Sequence, residues 1–154
     1  MEKIINNKIE MDGVAAAILE QMLRETKDAH ATHATVLGLS GELGAGKTAF
    51  TQSFARALGI RESVPSPTFV IARFYDIPNT AQFRRLVHVD AYRIGSEDEL
   101  GPIGWSALLA EPTNLLLVEW PEMIGKSFPS YGAILFFQVI SETVRRIYDK
   151  KGNI

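Results

Sequence analysis

The stretch Gly41-Glu42-Leu43-Gly44-Ala45-Gly46-Lys47-Thr48 fits the pattern G-x-x-x-x-G-K-[ST], and its reading decides the fold. Each residue type has a physical task. Gly41, Gly44 and Gly46 permit backbone conformations that a side chain forbids. Successive N–H groups can therefore turn inward and cradle phosphate oxygens. Lys47 brings a positive charge to β- and γ-phosphates, and the Thr48 hydroxyl is of the kind that ligates Mg²⁺. The predicted nucleotide-binding segment runs through Glu42, Leu43, Gly44, Ala45, Gly46, Lys47, Thr48 and Ala49.

Such a motif carries weight only between a strand and a helix. Residues 35–40 form a short, apolar, partly β-branched run, as expected of a buried parallel strand. Residues 48–58 place Phe50, Phe54, Ala57 and Leu58 at helical spacing, and Gly59 follows as a stop signal. The helix then aims the positive end of its dipole at the phosphates. Strand, loop and helix in this order predict nucleotide binding.

The chain has 154 residues, 46% of them hydrophobic, which predicts a single domain over 1–154 with a real core. A net charge of −2 creates no global field for nucleic acid. The absence of cysteine removes disulfides, thiolate chemistry and Cys-based zinc sites, and suits a reducing cytoplasm. No apolar run approaches the length of a membrane span, and the N-terminus lacks the apolar core of a signal peptide.

Residues 3–10 read as a strand carrying Ile4, Ile5 and Ile9, and Asp12 is placed to cap the helix that follows. Val14, Ala15, Ile18, Leu19, Met22 and Leu23 form its apolar stripe, a packing face. His30 and His33 fall in a polar loop with no third ligand nearby, and read as solvated. Beyond the glycine-loop helix, Pro65 and Pro67 hold the chain extended. Ser66 and Thr68 there are either switch-loop hydroxyls for Mg²⁺ or phosphate or ordinary turn hydroxyls. Residues 68–75 and 85–93 read as two strands, pairing antiparallel across a loop.

Asp90 follows a β-branched apolar run, where a carboxylate can hold Mg²⁺ directly or through water. His88 lies on the same strand face and supports the site or packs, with packing preferred. Arg93 reads as an ordinary ion-pair partner. Ser96 and Glu99 form a capping-box pattern, and Trp105 and Leu108 supply the buried face of a short helical piece near 103–110. Residues 115–118 read as a strand buried on both faces. Glu119 ends it, at the position where open α/β sheets place ligands. Pro121 then starts a helix, with Glu122 in its first turn. Two acidic candidates for the metal thus remain open, Asp90 and Glu119. Residues 133–140 and 143–148 read as a hairpin, with Arg145 and Arg146 as solvated edge residues, and the tail 149–154 as frayed.

Four segments now stand in order: GELGAGKT (41–48), VPSPTF (64–69), HVDAYRI (88–94) and VEWPE (118–122). Together they resemble the TsaE family, formerly called YjeE. These are the small P-loop ATPases of the bacterial pathway that makes N6-threonylcarbamoyladenosine at position 37 of certain tRNAs. The resemblance runs from about Ile4 to Tyr148. It implies a single α/β P-loop domain with a mixed central sheet flanked by helices and a C-terminal hairpin. It implies ATP and Mg²⁺ as ligands and a weak, partner-dependent ATPase that acts with the TsaB–TsaD pair, tRNA being met indirectly. It assigns phosphate and metal contacts to Lys47 and Thr48, a switch threonine to Thr68, and a Walker B-like aspartate to Asp90. Glu119 becomes the glutamate needed for ATPase function, and Trp120 its neighbour at the nucleotide. Ala49 and Ala91 depart from the commoner Thr and Leu without removing a ligand.

A rival reading is a small-molecule or nucleoside kinase on the same loop. Kinases close an arginine-bearing lid over the phosphates, and Arg93 is the single arginine between Asp90 and Leu115. A third class is a nucleotide-gated binding module without useful turnover. The N-K-x-D signature of guanine readers is absent from the sequence, which favours ATP.

Overall fold

A computed structural model of the chain describes residues 1–26, 31–65, 70–78 and 80–150. The strands are β1 (Glu2–Ile5), β2 (Thr35–Gly41), β3 (Ala72–Asp76), β4 (Arg85–Asp90), β5 (Asn114–Glu119), β6 (Ala133–Val139) and β7 (Arg145–Tyr148). The α-helices are α1 (Lys8–Thr26), α2 (Lys47–Ala57) and α3 (Trp105–Ala110), and 3₁₀ turns span Glu97–Ile103 and Pro121–Ser127. All seven strands form one sheet in the order β1-β7-β6-β2-β5-β4-β3. Its centre, β6-β2-β5-β4, is parallel. The outer pairs β4–β3, β6–β7 and β7–β1 are antiparallel, so the sheet is mixed, as expected.

Burial explains this arrangement. Every residue of β5 is buried, because helices cover one face and α3 with the 3₁₀ turns the other. On the first face, Ile18 and Leu19 of α1 and Phe50 and Phe54 of α2 meet Leu37, Leu39, Leu115, Leu117 and Leu135. Phe50 and Phe54, fully buried and one turn apart, contribute roughly 1.5–3 kcal/mol each. They thereby fix α2, and with it the loop that leads into α2. Val36, Val87, Val89, Leu116 and Val118 point to the other face and pack with Leu100, Trp105 and Ile124.

Several expectations shift. The first strand ends at Ile5, and Ile9 is 83% exposed on α1. Asn7, not Asp12, caps that helix: its Oδ1 accepts the Glu10 amide at 3.0 Å. The Glu10 carboxylate in turn accepts from the Asn6 amide and from both asparagine side chains. This reciprocal capping, an Asn-x-x-Glu variant of the capping box, overrides a short apolar alternation. Asp12 sits inside α1 and pairs with Arg56 of α2. The strand expected over 85–93 stops at Asp90, and that expected over 68–75 is seen from Ala72. Ser96 precedes the turn Glu97–Ile103 without a side-chain cap bond; instead the Gly95 amide donates to Glu99 Oε1 at 2.9 Å. The C-terminal hairpin forms as β6 and β7. Among the described residues, no helix is long and apolar enough to cross a membrane.

Candidate functional site

The site lies at the carboxyl ends of β2, β4 and β5. Register brings Leu39, Asp90 and Glu119 level with one another across these three strands. The ladder continues one step further, because the Ala91 amide donates to Glu119 O and the Trp120 amide to Leu39 O, both at 3.0 Å. From β2 the chain turns sharply into α2. Gly41 makes the turn at φ 153°, where an added Cβ would lie 2.4 Å from the Phe137 carbonyl oxygen. Gly44 and Gly46 have φ of 77° and 102°, a region that favours glycine. The amides of Lys47, Thr48 and Ala49, at the start of α2, have no carbonyl upstream within the helix, and these residues line the cleft, an arrangement suited to an anion.

Lys47 is only 4% exposed. Its ammonium donates to Gly41 O at 2.6 Å and Glu42 O at 2.9 Å and lies 3.9 Å from the centre of the Trp120 ring. Burial pushes its pKa below the ordinary lysine value, against the opposing pull of Glu119, Glu122, Asp90 and Glu42. The Thr48 hydroxyl shares its hydrogen between the two oxygens of Glu119, at 3.1 and 3.2 Å. Glu119 is 3% exposed and its Oε1 also meets His88 Nε2 at 2.9 Å. Asp90 is half-buried; its Oδ1 accepts the Tyr92 amide at 3.0 Å and otherwise faces the cleft. Trp120 has φ 60°, the sole non-glycine residue with positive φ among the described residues. For so bulky a side chain this is a strained conformation of the kind that gathers at functional sites.

These groups line a cleft of about 610 Å³. Of the predicted residues, Leu43, Gly44, Gly46, Lys47, Thr48, Ala49, Asp90, Glu119 and Trp120 line it. Ala45 instead turns into the core, and its amide is engaged by Glu42 O at 3.2 Å. Glu42 is exposed and contributes its carbonyl to Lys47. Thr68 lies outside the described residues, as do Ser66 and His30. The donor set of one hydroxyl and two carboxylates is all hard oxygen. It suits Mg²⁺, which binds through one or two carboxylates plus phosphates and water.

Two contacts escaped the sequence reading. His88, expected either to support the site or to pack with packing preferred, holds Glu119; the signal for support is its place two residues before Asp90 on one strand face. Arg145 was read as a solvated edge, yet its Nε donates to Gly44 O at 3.3 Å and its Nη1 to the Ser141 and Glu142 carbonyls of the hairpin turn. No local pattern signals that contact, which depends on β7 lying beyond β6 in the sheet.

A mixed sheet with a parallel centre, a glycine loop between its middle strand and a helix, and carboxylates on neighbouring strand ends define an α/β domain with a cleft at the carboxyl ends of its parallel strands. The family model for the threonylcarbamoyl adenosine biosynthesis protein TsaE matches residues 6–147. The chain belongs to the TsaE family. It is 33% identical over 113 residues to the tRNA threonylcarbamoyladenosine biosynthesis protein TsaE of Treponema pallidum, covering 73% of this chain and 79% of that one. The Streptomyces coelicolor protein of the same name is 47% identical over 85 residues, and that match spans 55% of its length. Among solved structures, Bacillus subtilis YdiB superposes with a TM-score of 0.65 at 26% identity, over 96% of this chain and 82% of that one. The family's role lies in threonylcarbamoyl adenosine biosynthesis.

Proposed function

We propose that this chain binds ATP with Mg²⁺ in the cleft, hydrolyses it slowly alone, and serves threonylcarbamoylation of adenosine 37 in tRNA together with the TsaB–TsaD pair. The observation that carries the ATP reading is the hydrogen bond from Thr48 to Glu119. It joins the hydroxyl at the start of α2 to the carboxylate at the end of β5, beside the loop amides and Lys47. Anion donors and metal-type oxygens therefore meet in one cleft, as phosphoryl transfer to water requires.

Each residue has a task in this reading. The loop amides and Lys47 bind phosphate oxygens and stabilise charge that develops on them. Bound Mg²⁺ would supply further neutralisation of that charge, and Thr48, Asp90 and Glu119 are the side chains that would hold it. Glu119 also orients the attacking water, and Thr68 is assigned the same duty from the switch segment. Trp120, with Tyr92 at 4.9 Å between ring centres, offers an apolar wall for the rest of the nucleotide. The partner pair supplies what speeds turnover; an added arginine finger alone is worth about a thousandfold or more in related enzymes. A cytoplasmic location and indirect contact with tRNA follow from that partnership.

The deciding measurement is Mg²⁺-dependent ATP hydrolysis by the chain alone and with the TsaB–TsaD pair. Faint activity that the pair stimulates is expected. No stimulation, with phosphate appearing on an added nucleoside or metabolite instead, would replace the ATPase by a kinase.

A further inference from the structure

His88 is the buried polar group to which the proposed hydrolysis gives no task. It lies on β4 and is 0% exposed, level with Leu117 of β5 and Arg73 of β3. Its Nε2 is 2.9 Å from Glu119 Oε1, while its Nδ1 is buried without a hydrogen-bond partner among the described residues. A carboxylate oxygen only accepts, so the contact is attractive with the hydrogen on Nε2. The atom left alone is then a bare Nδ1 lone pair, which is tolerated better than an orphaned N–H. Both observations select one tautomer.

The Thr48 hydroxyl is nearly equidistant from the two Glu119 oxygens. It therefore leaves open how the carboxylate is rotated, about a terminal torsion that is intrinsically broad. His88 breaks that symmetry, because it holds Oε1 alone. We propose that His88 is a positioning residue for ATP hydrolysis: it fixes Glu119 through Oε1, so that Oε2 is presented to the Thr48 hydroxyl and the cleft. This rests on the hydrolysis proposed above. A side chain present for packing alone has no need to aim a nitrogen at the carboxylate; leucine or phenylalanine would fill the space.

The test compares H88F, which keeps bulk and removes the donor, with H88Q, whose amide N–H reaches toward the place of Nε2. Single-turnover hydrolysis and the Kd for Mg²⁺-ATP are measured on the full chain. H88F is expected to slow hydrolysis by about 10–100-fold, the usual range for residues that orient a ligand group. Its Kd should stay within about twofold of wild type, the pattern of an interaction used in the transition state only. H88Q should recover most of the rate, and in an E119Q background H88F should cost nothing more. A readout independent of turnover is ¹⁵N NMR of the histidine ring in the ligand-free protein. A proton on Nε2 whose signal moves in E119Q is expected, and this decides the contact even where H88F does not fold. A proton on Nδ1, equal rates in H88F and H88Q, or a loss of affinity with hydrolysis unchanged would overturn the role of His88. A wild-type chain without any hydrolysis would overturn the activity itself, whichever nitrogen carries the proton.

Discussion

The ammonium of Lys47 lies 3.9 Å from the centre of the Trp120 ring while it donates to two carbonyls of its own loop. Burial lowers its pKa, so the folded chain holds that proton less tightly than the unfolded chain does. Between the folded and unfolded pKa the unfolded state binds more protons, and stability rises with pH. The penalty is fully present below the folded pKa and is relieved as pH climbs through the ordinary lysine value. We predict that K47M loses about 10–100-fold in ATP affinity, since a charge-assisted hydrogen bond contributes about 1.5–3 kcal/mol. The same variant should lack the alkaline rise in stability expected of wild type. Thermal unfolding from neutral to alkaline pH, without nucleotide, checks this; parallel curves for the two proteins would contradict it.

Asp90 and Glu119 are level on neighbouring strands but differently engaged. Asp90 gives one oxygen to the Tyr92 amide and otherwise faces the cleft, whereas Glu119 is committed to Thr48 and His88. Asp90 therefore has more lone pairs open to a metal. D90N should weaken Mg²⁺-dependent ATP binding by about tenfold or more, the lower end of the effect of losing a metal-supporting group, and leave Mg²⁺-free binding nearly intact. E119Q should slow hydrolysis strongly and weaken Mg²⁺-dependent binding less than D90N does, because the Glu119 carboxylate is already engaged by Thr48 and His88. Calorimetry with and without Mg²⁺ separates them, and equal losses in both conditions for D90N would remove Asp90 from the metal.

The sequence made legible what depends on local pattern. The glycine loop, its flanking strand and helix, the buried strand before Glu119 and the C-terminal hairpin all announce themselves through turn chemistry and hydrophobic period. The mixed sheet, by contrast, was implied by the resemblance to the TsaE family, while motif and strand-end position singled out Lys47, Thr48, Asp90 and Glu119 as candidates. Pairings between distant elements were not legible. The Arg145–Gly44 contact depends on strand order, which no window of sequence encodes, and although His88 shares a strand face with Asp90, its pairing with Glu119 depends on the β4–β5 register. The start of α1 was misplaced for a different reason: Ile9 fitted an alternating pattern, and the Asn7–Glu10 cap outweighed it. Trp120 in a left-handed conformation was equally invisible, because a residue before a proline reads as extended.

Arg145 ties the β6–β7 hairpin to the glycine loop. Its Nε donates to Gly44 O and its Nη1 to carbonyls of the hairpin turn, so one guanidinium holds both. Without that tie the glycine loop, whose Gly44 and Gly46 line the cleft, loses its anchor to the hairpin. R145A should raise the Kd for ATP by roughly fivefold, corresponding to about 1 kcal/mol for one net hydrogen bond. R145K should not restore it, because a single ammonium cannot span both sets of acceptors. Restoration by lysine would show that only the charge matters.

Gly41 and Gly44 stand in the same loop for different reasons, and alanine should separate them. At Gly41 a Cβ would meet the Phe137 carbonyl oxygen at 2.4 Å and its Cβ at 2.9 Å, across the β2–β6 pairing. Backbone would have to move, because neither contact is the far end of a flexible side chain. We expect G41A to destabilise the fold by about 2–5 kcal/mol, combining overpacking with an unfavourable φ. At Gly44 nothing lies within 4 Å of the added Cβ, so G44A meets only the cost of φ 77°, about 1–2 kcal/mol. Urea unfolding of both variants without ligand is the check. A G44A loss as large as that of G41A would mean that backbone conformation, rather than the contact with Phe137, sets the requirement for glycine at both positions.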